Sequence, residues 1–239
     1  MSISDNLNAL EQRIGSACAR AGRSRSDVTL VAVTKTRTAA EIDEAIRASI
    51  TQVGENRVQE AVAKKPQVTL PATWHLVGSL QTNKVQRALE VFDVVQSIDS
   101  LHLAQEIQLR CEQANLHVRA LIEVNTSGEQ SKHGVQPDAL PDLIVQVLKL
   151  TRLQLAGLMT IGPGLAIDDP EASRPCFKLL ARLAEDCRQC FNMRALGTVH
   201  GGTVPFHLSM GMSSDFEIGI EEGATIVRIG SAIFGPRPA

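Results

Sequence analysis

The chain has 239 residues, 44% of them hydrophobic, and a net charge of −2 with its basic residues spread along the sequence. That balance allows a sizeable buried core and gives no electrostatic footprint for nucleic acid or an acidic membrane. No apolar run approaches the ~20 residues that span a bilayer, and "MSISDNLNAL" lacks the regions of a signal peptide, so a cytoplasmic protein without membrane contact is expected.

Leu7, Leu10, Ile14, Ala17 and Ala21 recur at helical spacing and predict an N-terminal helix over about 4–21, with Gly22 placed to stop it. Short apolar runs then alternate with helical segments. The predicted strands are 29–34, 51–54, 74–78, 93–98, 118–125, 153–160, 206–211 and 225–230. The predicted helices are 38–49, 55–65, 82–90, 100–115, 138–150, 170–191 and 214–222, and a short segment follows the last strand.

Most of these strands are apolar on both faces, as strands covered by helices must be, and eight β/α units in this length predict one (β/α)8 TIM-type barrel over 1–239. A doubly wound open sheet competes. It would place a nucleotide at a glycine-rich first turn, and "VTKTRT" contains no glycine.

Polar residues at the C-terminal strand ends are the informative ones in a barrel. Lys35 leaves the first strand with no acidic residue within five positions on either side. Strand alternation groups it with Val31 and Val33, which aims the amine into the barrel mouth. A partly desolvated amine is the neutral nucleophile that condenses with an aldehyde; a lysine snorkelling to water is the plain alternative. Near the other end, "LSMGMSSDFE" and "IVRIGSAIFG" supply small and hydroxyl residues where barrels hold phosphate, with Ser209, Gly230 and Ser231 as candidates. Ser214 and Glu217 fit a capping box, so Ser213 and Ser214 read as the start of a helix. Alternation places Arg228 with Ile226 and Gly230, either facing the mouth beside Lys35 or paired with a carboxylate such as Glu123. The two readings stand equal.

The five cysteines are scattered, and Cys187 and Cys190 of "CRQC" fall inside a helical pattern without a second ligand pair. No metal is expected.

Together "VAVTKTRTAAEIDEAI", "GENRVQEA", "WHLVGSLQTNK", "LIEVNTSGEQSKHG" and "LSMGMSSDFEIGIEEGATIVRIGSAIFG" resemble the pyridoxal 5′-phosphate homeostasis protein family, the YggS-like proteins, in order over nearly the whole chain. The resemblance implies a barrel like the N-terminal domain of alanine racemase, holding pyridoxal 5′-phosphate (PLP) as a Schiff base on Lys35. It implies that Arg228 faces the pyridine nitrogen, that Ser209, Gly230 and Ser231 hold the phosphate, and that Asn56 borders the ring. His75, Met159 and Lys132 lie in matching segments at the same rim. The segment "LGTVHGGTVPFH" departs from the family pattern by its length and glycine content, and its role is left open.

The resemblance suggests storage, buffering or delivery of PLP, with PLP-dependent apoenzymes as candidate recipients and a monomer as the default. Two residue arguments point away from turnover. A racemase of the alanine racemase type needs a tyrosine as its second base, and this sequence has none; little chain is expected beyond the last strand for such an enzyme's second domain. An arginine beside the ring cannot protonate its nitrogen. The alternative is an enzyme, either a residual racemase or a phosphosugar aldolase using Glu55 or Glu123 as acid and base. A barrel serving only as a protein-interaction scaffold is the third reading.

Overall fold

The computed structural model describes residues 2–190, 198–199, 202–203 and 206–236. The first helix, α1 (Ile3–Arg20), starts in a capping box between Ser2 and Asp5 and buries Leu7, Leu10, Ile14, Ala17 and Cys18 on one face. Gly22, at φ +64°, turns the chain out of it, with the Arg23 amide donating to the Cys18 carbonyl.

Strands and helices then alternate: β1 (Thr29–Val33), α2 (Ala39–Arg47), β2 (Gln52–Glu55), α3 (Val58–Lys64), β3 (Thr73–Leu76), α4 (Val85–Leu89), β4 (Val94–Ile98), α5 (Leu101–Ala114), β5 (Val118–Glu123), α6 (Leu140–Val147), β6 (Leu153–Met159) and α7 (Arg174–Cys190). A two-stranded antiparallel ribbon follows, β7 (Thr198–Val199) with β8 (Gly202–Thr203), and then β9 (His207–Ser209), α8 (Phe216–Glu221), β10 (Ile226–Ile229) and α9 (Ser231–Phe234). Eight parallel strands close in the order β1, β10, β9, β6, β5, β4, β3, β2, with the ribbon outside the ring. All eight predicted strands are present and the barrel is closed, which sets the doubly wound alternative aside.

Closure has a local requirement between β6 and β9. Gly157, at positive φ, pairs with His207, and a Cβ there would overlap the His207 backbone. Only glycine lets the two strands approach. The outer ring is completed unusually. Its last helix, α9, spans only Ser231–Phe234, and α1 packs across α8 and α9 to cover the seam, with Asn6 Nδ2 donating to the Ile233 carbonyl at 2.8 Å.

Outward strand residues join the helices in one large apolar core, while Val31, Val94, Leu121, Ala156, Met159 and Ile226 fill the barrel interior. Val31 and Ile226 thus point inward, and with them the registers of Lys35 and Arg228. Among the described residues no helix is long and apolar enough to cross a membrane, and no cluster of His, Cys, Asp and Glu could hold a metal ion. Cys187 is buried and Cys190 exposed on α7, and neither is disulfide-bonded. The segment 196–207, singled out in the sequence, lies outside the described residues except for the ribbon, Phe206 and His207.

Candidate functional site

A cavity of about 360 Å³ opens at the C-terminal ends of the strands, within the roughly 300–1,000 Å³ of small-molecule sites. Lys35, Asn56, Arg228, Gly230 and Ser231 all line it, so five of the six residues picked from the sequence converge there. The sixth, Ser209, does not: its side chain is fully buried beneath the cavity, where its hydroxyl donates to Gln96 Oε1 and accepts from Arg228 Nη1, both at 2.6 Å.

Ser213 and Ser214 line the cavity as well, which corrects their reading as helix-capping serines. Helix α8 begins two residues later, at Phe216 with Asp215 as its N-cap, and the Ser214 to Glu217 box does not form. The Asp215 carboxylate instead accepts from the Met212 amide at 2.7 Å and from the Ser173 hydroxyl at 2.6 Å. That buried carboxylate holds the loop so that both serines face the cavity. With Gly230 and Ser231 they form a wall of hydroxyls and approachable backbone. Arg37, also at the cavity, ties this end of β1 to the backbone just after α9 by donating to the carbonyls of Gly235 and Pro236.

Arg228 is buried, and its guanidinium bonds to Ser209 and, at 2.8 Å, to the Thr160 carbonyl rather than to Glu123. Burial lowers its pKa to about 10, against the opposing pull of Glu123 and Asp215, which leaves it a cation at neutral pH. Behind it runs a one-directional chain of hydrogen bonds. Arg228 donates to Ser209 and Ser209 to the Gln96 carbonyl oxygen, so the Gln96 amide is free to donate to His75 Nδ1 at 2.8 Å. His75 Nε2–H then donates to Gln52 Oε1 at 2.8 Å. This arrangement needs a neutral imidazole, and burial holds His75 down at about 3.

His75 and Met159, expected at the rim, are therefore buried below it, and Lys132 is occupied with the Gly162 carbonyl. Gln52 and Gln96 were missed. Each is a polar residue at an inward position of a strand, which is the signal that could have found them.

The backbone around Lys35 is also fixed. The Arg37 amide donates to the Thr34 carbonyl at 3.0 Å, closing a turn with Lys35 second and Thr36 third. Thr36 has φ +64°, a region that costs a β-branched residue roughly 1–2 kcal/mol. Glu55 is fully buried on the outer side of β2, where its Oε1 takes bonds of 2.6 Å from both Lys64 Nζ and the Thr34 hydroxyl. Being committed there, it is unavailable as an acid or base for anything in the cavity. Glu123 faces inward, and burial pushes its carboxyl up to about 7 although Arg228 pulls the other way.

A closed parallel barrel, with an amine, a buried arginine and a hydroxyl-rich wall meeting at the C-terminal strand ends, defines a barrel of the alanine racemase N-terminal type. The family model described as "Alanine racemase, N-terminal domain" matches residues 6–238. A pyridoxal phosphate homeostasis protein of Aquifex aeolicus is 41% identical over 238 residues, covering 99% of each chain. The solved structure of PipY from Synechococcus elongatus, with PLP bound, is 32% identical with a TM-score of 0.79, covering 98% of this chain and 100% of that one. An alanine racemase of Clostridium difficile, 13% identical with a TM-score of 0.71, shares the fold over 100% of this chain and 56% of its own length. The chain belongs to the pyridoxal phosphate homeostasis family.

Proposed function

We propose that this protein binds PLP and holds it reversibly on Lys35, for storage, buffering or delivery inside the cell. The observation that carries the reading is the convergence of Lys35, Arg228 and the Ser213, Ser214, Gly230 and Ser231 wall on one cavity. The donor set fits such a ligand: hydroxyls and a glycine amide for a phosphate, an apolar flank from Val33, Val77 and Met212 for a ring, and an amine for an aldehyde.

When bound, PLP supplies an aldehyde carbon that a neutral amine attacks with loss of water and that a second amine can take over by exchange. Lys35 provides the first amine. Asn56 would border the ring, and Arg228 would face the ring nitrogen as a donor that keeps its proton. Ser209 contributes through Arg228, by occupying the guanidinium's inner face, rather than by touching phosphate. An arginine in that place argues for holding over carbanion chemistry, and the commitment of Glu55 to Lys64 and Thr34 removes one of the two acid-base candidates. PLP-dependent apoenzymes are the recipients this reading implies.

The test is a visible absorption spectrum of the purified protein with PLP, then borohydride reduction and peptide mass mapping, with Lys35→Ala alongside. The expected result is an absorption change and a reduced pyridoxyl adduct on Lys35, both lost in the variant. Absence of the adduct from wild type at saturating PLP would reject the reading. Exchange of the α-proton of alanine in deuterated water would favour an enzyme over a carrier.

A further inference from the structure

The turn that carries Lys35 is held from behind by a cluster outside the cavity. Lys64, buried at the end of α3, donates to three acceptors: the Thr34 carbonyl at 2.9 Å, Glu55 Oε1 at 2.6 Å and Glu60 Oε1 at 2.9 Å. Those are all the donors an ammonium has. Glu60 Oε1 also accepts from the Thr36 amide at 2.6 Å, and Glu55 Oε1 from the Thr34 hydroxyl. The residues immediately before and after Lys35 are therefore both bonded to one ion cluster, whereas Lys35 itself lines the cavity. The positive φ of Thr36 persists because its amide is fixed in this way.

Burying the Lys64 ammonium with the Glu55 carboxylate is expensive and gains little stability over apolar packing. Glu55 Oε2 is buried and has no partner, so this cluster is not optimised as a stability device. Its geometry is spent on the two peptide groups that set where the Lys35 side chain leaves the backbone. We propose that Lys64, Glu60 and Glu55 are positioning residues for Lys35, fixing the turn so that its amine meets an aldehyde in the cavity. The inference rests on the reading of Lys35 as the PLP anchor.

The experiment measures, on the full-length protein, the rate at which the Lys35 adduct with PLP appears, by borohydride quenching and mass mapping. Variants are Lys64→Met, Glu60→Ala and Glu60→Gln, with exposed Glu90→Ala as control. Misplacement of the amine should slow adduct formation by about tenfold or more in Lys64→Met and Glu60→Ala. Glu60→Gln, which keeps an acceptor for the Thr36 amide, should recover most of the rate. Glu60 is partly exposed, so its variants carry the test if Lys64→Met does not fold.

A second readout needs no cofactor: the rate of Lys35 acetylation by acetic anhydride, expected to change in the same variants. Lowered melting temperatures with wild-type rates in both readouts would overturn the proposal and leave the cluster structural. Failure of wild type to form the adduct would instead overturn the anchor reading and this inference with it, a result distinguishable because it needs no variant.

Discussion

Glu123 and Arg228 occupy inward positions of β5 and β10, and burial moves both toward their neutral forms. For Glu123 the sign is definite. Its carboxyl rises from 4.5 to about 7 on folding, with Arg228, His133 and Asp99 as the charges that reach it. The folded state therefore binds its proton more tightly than the unfolded chain, and the protein loses stability as pH rises through that window. Glu123→Gln should gain on wild type by on the order of 3 kcal/mol between pH 4.5 and pH 8, read from urea denaturation at the two values. A difference independent of pH would show that the carboxyl titrates as in water. At this scale the sequence already held much of the cavity. Lys35, Arg228, Gly230 and Ser231 were readable because a two-residue period and a strand end together determine which side chains reach a barrel mouth, whereas Asn56 came from the family resemblance. Ser209 lies deeper than the rim, because that rule gives the face of a strand and not the depth along it.

Among elements, the β6 to β9 junction shows how one residue governs a strand pair. Gly157→Ala would drive a methyl into the His207 backbone at a position of positive φ, so the pair must separate. A loss of at least about 2 kcal/mol is expected in chemical denaturation. The displaced β9 would also disturb Ser209, and through it Arg228, so PLP affinity should fall in the same variant. Retention of both stability and affinity would mean that β9 moves without cost. The loop before α8 illustrates the limit of element-level reading. A serine three residues before a glutamate is a sound capping pattern, yet the helix starts after Asp215, whose carboxylate makes no capping bond and instead meets Ser173 and the Met212 amide. Local pattern lost to a tertiary hydrogen bond from a residue 42 positions away.

For the molecule as a whole, the N-terminal helix is part of the ring that closes the barrel. With α9 reduced to one turn, α1 covers the β10 to β1 seam, and Ile14 is fully buried in that contact. Ile14→Ala should cost about 2–5 kcal/mol in urea denaturation while leaving the rate of the Lys35 adduct unchanged. A slowed adduct would connect the seam to the cavity and contradict the division between them. Surface ion pairs reinforce the same junction: Arg13 and Arg20 bond Glu217, and Arg20 also bonds Glu221, contributions that exposure keeps small.

The number and order of the barrel strands, their burial on both faces and the inward register of Lys35 and Arg228 were determined by the sequence alone. They follow from apolar periodicity and from glycine and proline punctuation, which act over a few residues. Tertiary structure decided the rest: that Ser213 and Ser214 line the cavity, that Ser209 supports Arg228 from below, and that Lys64 and Glu60 grip the turn around Lys35. Each of those depends on a hydrogen bond between elements distant in sequence. A buried donor must find its acceptor wherever closure of the barrel brings one, and no local spacing encodes where that is.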